Sequence, residues 1–334
     1  MQILAIRVGR VGDTVMMTPA LNALLQCYPD SEVTILASPE GKRVLQNFNP
    51  RIKDIWTWNR HSFIQSYRDK KEIRRRASIK KFDKIFCFDT SKRIAGLFKD
   101  IQTEFHWFSG SDTLKHSARH YLELVALTCN CPIDKLYNYL PITDNTLQQV
   151  DNELKSYGIT KNDALVMIHP TYSGYTKLGL TKREARIRKL WPAESYGELG
   201  KKLATTRLLN GTTPKVFMEI VPAELHYAME IIAASNNTIQ LLESKSNFER
   251  YKGLISRANV LLTPDSGPMH IASALGTRIV AFFSMKDPAD CGPYMPKELF
   301  TILRSDDPIK GISTISVDTV LDAVKSQLNS ASTQ

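Results

Sequence analysis

The chain has 334 residues, 43% hydrophobic and 23% charged, a length that calls for two domains and a composition that excludes collagen-like and broadly disordered chains. Its formal charge of +10 is local: residues 60–84 carry ten Lys and Arg against three acidic residues, and residues 172–189 carry six against one, so the remainder is slightly acidic. Localised positive charge implies an anionic ligand or surface; nucleic acid, an acidic membrane and a phosphorylated glycolipid all satisfy it.

No run approaches the roughly 18–20 apolar residues that cross a bilayer, and the apolar run at residues 3–8 is too short for a signal peptide, so a cytosolic protein is expected. Five cysteines are an odd number, which makes a disulfide framework unexpected. In chain order, strand-like runs at residues 3–8, 33–37, 52–57 and 84–88 alternate with helical spacing at 14–27, 41–47 and 62–81, and an amphipathic helix is expected at 117–128. After Leu140 the rhythm restarts. Helix 145–157, strand 164–168, helix 193–207, strand 215–219, helix 222–234, strand 238–241, helix 247–257, strand 260–262, helix 268–275 and strand 278–282 follow, with a closing helix over 317–328. Such alternation predicts two α/β halves, each a parallel sheet covered by helices, joined between Pro141 and Asp163. Residues 171–189 read as a long basic loop, unusual in a compact unit unless it contacts something.

In open parallel sheets, ligands bind beyond the carboxyl ends of the strands. Two turns there stand out. In Arg7-Val8-Gly9-Arg10-Val11-Gly12-Asp13-Thr14, the glycines permit close backbone approach and Asp13 is placed to cap a helix that Pro19 then interrupts. This spacing is not a dinucleotide fingerprint. In Thr263-Pro264-Asp265-Ser266-Gly267-Pro268-Met269-His270, Ser266 is a candidate cap, Pro268 fits the first turn and Gly276 the end; left uncapped, the helix amides would hold a phosphate. No G-x-S-x-G nucleophile motif occurs, and His116, His120, Cys129 and Cys131 match no usual zinc spacing, so no metal is expected.

These residues, in order, resemble glycosyltransferase family 9, the ADP-heptose:lipopolysaccharide heptosyltransferases. The opening Ile3-Leu4-Ala5-Ile6-Arg7 with Gly12-Asp13-Thr14-Val15 and Thr18-Pro19-Ala20-Leu21 is similar to the family's N-terminal signature. His116 with His120-Tyr121-Leu122, His169-Pro170, Lys189-Leu190-Trp191-Pro192, Pro222-Ala223-Glu224 and Gly292-Pro293-Tyr294 fit in turn. The most specific stretch runs from Asp265 to Ala272 and on through Ala274-Leu275-Gly276-Thr277. Ile220-Val221 stands where the family has a glycine pair, and Leu190 where it has an arginine.

The resemblance implies a GT-B architecture, two Rossmann-like α/β/α domains facing across a cleft: residues 1–150 for the acceptor, 151–314 for the nucleotide sugar, and 315–334 a closing helix and tail. It implies an inverting sugar transferase that needs no cofactor or metal, moving heptose from ADP-heptose to the inner core of lipopolysaccharide. Asp13 would be the general base. Gly12, Thr14, Lys189, Glu224, Asp265, Ser266, Gly267 and His270 would bind the donor, with Lys189 and the 266–270 helix terminus neutralising the departing diphosphate and Glu224 meeting the ribose. Arg60, Arg68, Arg74, Arg75 and Arg76 would meet the anionic lipid A acceptor and the inner face of the membrane, giving peripheral association. Another nucleotide sugar is the alternative. A basic nucleic-acid-binding module is the rival from a different class, disfavoured because Tyr67 is the only aromatic residue between Phe63 and Phe82.

Overall fold

A computed structural model describes residues 1–60, 63–98, 100–108, 110, 115–129, 132–172, 174–175 and 180–331, with 63, 180–183 and 185 by backbone alone. Ser62, Cys131 and Lys177, each part of an expectation above, lie outside the described residues. Met1–Pro141 and Ile142–Gln334 are two compact units.

The first unit runs β1 (Gln2–Arg7), α1 (Val11–Met16), α2 (Thr18–Cys27), β2 (Glu32–Ala37), α3 (Pro39–Leu45), β3 (Ile52–Thr57), α4 (Phe63–Lys80), β4 (Lys84–Cys87), α5 (Lys92–Ala95), β5 (Glu104–Trp107) and α6 (Ser117–Ala126). Its sheet is parallel, ordered β3-β2-β1-β4-β5, with β1 central. Ile3, Leu4, Ala5 and Ile6 are fully buried, as a strand covered on both faces requires. The helix expected over 14–27 is two helices. Pro19 has no N–H to return to the Val15 carbonyl, and the Thr18 hydroxyl donates to that carbonyl instead at 2.7 Å. Helix α4 buries Ile73 and Ala77 against the Trp56 and Trp58 side of the core. Its orientation is fixed by Trp58 Nε1 donating to Ser66 (2.9 Å) and the Asn59 amide donating to Asp69 (2.8 Å).

Contrary to expectation, Cys27 and Cys129 form a disulfide, their Cα atoms 6.0 Å apart across 102 residues of sequence. Helices α2 and α6 pack together and bring the two thiols into register, which cysteine counting has no means of detecting. The bond also removes Cys129 from any metal set. His116 accepts the Ala118 amide at 3.1 Å and thereby caps α6.

The second unit runs α7 (Asp144–Ser156), β6 (Leu165–Ile168), α8 (Leu180–Lys189), α9 (Ala193–Thr205), β7 (Lys215–Met218), α10 (Leu225–Ala234), β8 (Ile239–Leu241), α11 (Phe248–Arg257), β9 (Val260–Pro264), α12 (Gly267–Leu275), β10 (Arg278–Phe283), α13 (Pro288–Cys291), β11 (Phe300–Arg304) and α14 (Val317–Ala331). The parallel sheet order is β11-β10-β9-β6-β7-β8. Trp191, wholly buried, anchors one face: its indole donates to the Ile315 carbonyl (2.8 Å) and Tyr196 meets it edge-on at 4.8 Å.

The first unit ends at Pro141, at the near end of the expected 141–163 join and short of residue 150, because α7 packs on α11, where Arg250 pairs with Glu153 and Arg257 with Asp151. The closing helix α14 buries Val320, Val324 and Leu328 in the second core, and Arg278 holds its end through Gln327 (3.1 Å) and the Ser330 carbonyl (3.2 Å). The loop expected over 171–189 closes with helix α8, since 180–189 contains no glycine or proline and is rich in helix-forming residues; Trp191-Pro192 follows its end. The chain thus has the two parallel α/β sheets of a GT-B fold.

Candidate functional site

In the first unit, parallel pairing gathers the ends of β1, β3 and β4 along one edge. Arg7 closes β1. Its Nη2 donates to Asp13 Oδ1 at 2.7 Å and its Nη1 to Asp89 Oδ2 at 3.1 Å. Asp89 is buried and accepts the Ser91 amide at 3.0 Å. The Asp13 side chain is 33% exposed against 4% for Asp89, so of the two carboxylates on Arg7 it is Asp13 that meets solvent. Burial works against the Arg7 charge, but Tyr121, Asp13 and Asp89 together carry its pKa above the ordinary arginine value. Tyr121, whose ring lies 5.9 Å from the guanidinium, is pushed up to about 12 by burial.

Asp13 is not the cap residue itself. Helix α1 begins two residues earlier, and Asp13 Oδ2 reaches back to accept the Arg10 amide at 2.8 Å, an anion set against the positive end of the helix. Gly9 is required here: a Cβ on it would lie 2.4 Å from Asp13 Cβ and 2.7 Å from Oδ2. Gly12 is inside α1, half-buried. Thr14, expected to touch the donor, is wholly buried and donates to the Arg10 carbonyl at 3.1 Å, so its hydroxyl serves the turn.

Arg60 is not on the basic helix. It follows β3, and its guanidinium donates to the Val8 carbonyl, beside the Gly9–Asp13 turn. Arg68, Arg74, Arg75 and Arg76 are exposed on α4. Arg75 and Arg76 both bind Glu72 (2.7 and 2.8 Å), and Arg76 also lies 5.9 Å from the Trp56 ring, so part of the charge is spent locally.

In the second unit, His169 and Thr171 follow β6, Glu219 and Glu224 follow β7, and Asp265 follows β9, again along one carboxyl edge. Lys189 Nζ donates to Asp265 Oδ2 at 3.1 Å and lies 5.7 Å from the Tyr172 ring. Ser266 starts α12 but its hydroxyl pairs with Thr263 Oγ1 at 2.8 Å rather than capping the helix. Gly267 opens the helix, His270 is buried in its first turn, and Gly276 ends it with φ 74°, a left-handed conformation that glycine adopts without cost. The Ser266 side chain makes no capping bond here, which leaves the helix amides and dipole at the Lys189–Asp265 edge of the sheet, a setting suited to phosphate.

Glu224 is half-buried, and Thr171 Oγ1 donates to its Oε2 at 2.9 Å. Burial pushes its pKa up; the Thr171 hydrogen bond pulls it back and nearby Glu219 adds to the rise. Glu219, itself raised by burial, pairs with Arg250 at 3.3 Å. Of the two bulky residues replacing the glycine pair, Ile220 points into the core and only Val221 is exposed.

Sequence reading missed Arg7, Asp89, Thr171 and Tyr251, the last with its hydroxyl 3.2 Å from His169 Nδ1. An arginine closing an otherwise apolar strand and an aspartate just after the 84–88 run were the available signals for the first two. Nothing local marks the others.

The family model for glycosyltransferase family 9 (heptosyltransferase) matches residues 93–309. The lipopolysaccharide core heptosyltransferase OpsX of Haemophilus influenzae is 30% identical over 112 residues, which spans 33% of this chain and only 30% of that relative's length. Among solved structures, the family 9 glycosyl transferase of Veillonella parvula superposes with a TM-score of 0.79 at 20% identity, covering 98% of this chain and 97% of that one. The Escherichia coli ADP-heptose lps heptosyltransferase II gives 0.75 at 18% identity, covering 99% and 100%. The solved structures carry the fold, and the family model covers well over half of the sequence: the chain belongs to glycosyltransferase family 9.

Proposed function

We propose that the protein transfers heptose from ADP-heptose to a hydroxyl of the lipopolysaccharide inner core, with inversion at the anomeric carbon. The acceptor oxygen forms its bond to that carbon as the bond to the diphosphate oxygen breaks; the hydroxyl proton goes to Asp13 and ADP leaves. Arg7 and the Arg10 amide hold Asp13 in one orientation, which suits a general base that must meet its proton within hydrogen-bond reach. Donor binding is assigned to Glu224 for the ribose and to Lys189, Asp265, Ser266, Gly267 and His270 for the diphosphate and sugar. Charge developing on the leaving diphosphate would be met by Lys189 and the amides opening α12. Arg60, beside the Asp13 turn, would meet the anionic acceptor, and the exposed arginines of α4 an anionic lipid surface. No described helix is long and apolar enough to cross a membrane.

The observation that carries this reading is Lys189, held 3.1 Å from Asp265, on the same sheet edge as a helix N-terminus that its own cap residue, Ser266, leaves uncapped. The substrates come from what the relatives are named for, lipopolysaccharide core and ADP-heptose. The test is incubation of purified protein with ADP-heptose and an octulosonic-acid-bearing lipid A, read by mass spectrometry and ADP release, beside a panel of other nucleotide sugars. A gain of one heptose, unchanged by EDTA, is expected. Turnover of a different nucleotide sugar with none of ADP-heptose would replace the donor assignment.

A further inference from the structure

Behind Glu224 lies a line of polar groups that the transfer scheme does not use. Tyr251 Oη, from α11, is 3.2 Å from His169 Nδ1; His169 Nε2 is 3.3 Å from Thr171 Oγ1; and Thr171 Oγ1 is 2.9 Å from Glu224 Oε2. The direction of each bond follows from the last. An ionised carboxylate only accepts, so the Thr171 hydroxyl gives its proton to Glu224 and must receive one from His169 Nε2. The histidine is neutral, because burial alone brings its pKa down to about 4. Neutral and protonated at Nε2, it has Nδ1 left to accept from Tyr251.

We propose that Tyr251, His169 and Thr171 form a directed hydrogen-bond chain that holds the Glu224 carboxylate ionised and turned, leaving Oε1 to accept from the vicinal hydroxyls of a nucleotide ribose. His169 and Thr171 are thus positioning residues. This rests on the assignment of Glu224 to the ribose made above. The charged and titratable groups facing Glu224 explain why it needs the chain. Glu219, from the end of β7, opposes its ionisation, and that charge is only partly met by Arg250; Tyr175 and Tyr251 face it from the segment after β6 and from α11, and neither bears positive charge at neutral pH. Among the described residues Thr171 alone donates to the carboxylate. Without that bond, burial and Glu219 act unopposed and the group protonates more readily.

The experiment is calorimetric binding of ADP and of 2′,3′-dideoxy-ADP to the full chain between pH 5.5 and 8.5. Thr171→Val and His169→Phe break the chain; Thr171→Ser keeps the hydroxyl, and His169→Gln keeps a donor toward Thr171. Wild type is expected to prefer ADP. The breaking variants should lose about tenfold in ADP affinity at neutral pH, regain it as pH rises, and leave dideoxy-ADP unaffected. The two conservative variants should bind as wild type does. Equal losses for both nucleotides, or no loss with either, would overturn the chain while leaving the ribose assignment standing. A wild type that binds both nucleotides equally would remove the ribose assignment and the chain with it.

Discussion

Arg7 and Asp13 are joined at 2.7 Å, and the same guanidinium reaches the buried Asp89 at 3.1 Å. Asp13 is therefore held from two sides while a third of its side chain remains open, and its chemistry and its structural role can be separated by substitution. Asp13→Asn keeps an acceptor for the Arg10 amide but has no proton affinity. Transfer should fall by about 10²–10⁴-fold with nucleotide affinity unchanged, as read by initial rates and ADP binding. Arg7→Met instead strands Asp89 without a counter-charge, and chemical unfolding should show a loss of about 3–5 kcal/mol. Wild-type rates in Asp13→Asn would remove the base assignment.

Helix α4 carries a second prediction. Its outer surface shows Ile64 (66% exposed), Tyr67 (69%) and Ile79 (66%) among Arg68, Arg74 and Arg75. Basic residues combined with exposed apolar ones on one helix suit an anionic lipid interface, at about 1 kcal/mol for each cation near the surface. In flotation assays the protein should bind phosphatidylglycerol vesicles and not neutral ones, and should be released by high salt. Arg68→Ala with Arg74→Ala should weaken binding about tenfold or more. Arg75→Ala should matter less, since Glu72 already pairs with it. Equal binding to neutral vesicles would end the electrostatic account.

Much of this architecture was written in local sequence. The run from Ile3 to Ile6 is buried on both faces and could only be a central strand, and Pro268 and Gly276 bracket α12 as their backbone preferences dictate. Strands β5 and β11 were not legible, because edge strands need no continuous apolar run: Glu104 and His106 alternate along β5, and β11 is half-exposed up to the exposed Arg304. The candidate site divides in the same way. Asp13 and Asp265 sit in short motifs whose turns announce them. The Arg7–Asp89 bond spans 82 residues and the Tyr251–His169 bond another 82, the first joined because β1 and β4 end along one edge and the second because α11 lies against the segment that follows β6.

The Cys27–Cys129 disulfide has a thermodynamic consequence. It closes a loop of 102 residues, and restricting so long a loop in the unfolded chain corresponds to about 3–5 kcal/mol. Cys27→Ser should lower the urea midpoint, and reductant should lower that of the wild type to the same value while leaving Cys27→Ser unmoved. Cys87 and Cys291 are both buried, with pKa values pushed up to about 12 by burial, so thiol reagents should reach neither in the folded state. A midpoint insensitive to reductant would count against the bond.

His169 makes stability depend on pH with a definite sign. Folded, it holds a pKa near about 4 because it is buried; unfolded, it returns to 6.5. Between those values the unfolded chain takes up a proton that the folded one refuses. Its contribution is therefore fully present above pH 6.5, declines as the pH falls, and levels off below 4, a loss on the order of 3 kcal/mol. Glu224 acts in the opposite sense, since its raised pKa makes the folded state bind protons more readily than the unfolded one above 4.5. The wild-type curve mixes the two, and the difference between wild type and His169→Gln isolates the histidine. Glutamine does not titrate, so urea unfolding at pH 7.5 and pH 5 should show the wild type losing more stability than the variant over that interval. Parallel losses in the two proteins would mean that His169 carries its proton in the folded state as readily as outside it; Nδ1 would then donate to Tyr251 rather than accept from it, while Nε2 still donated to Thr171.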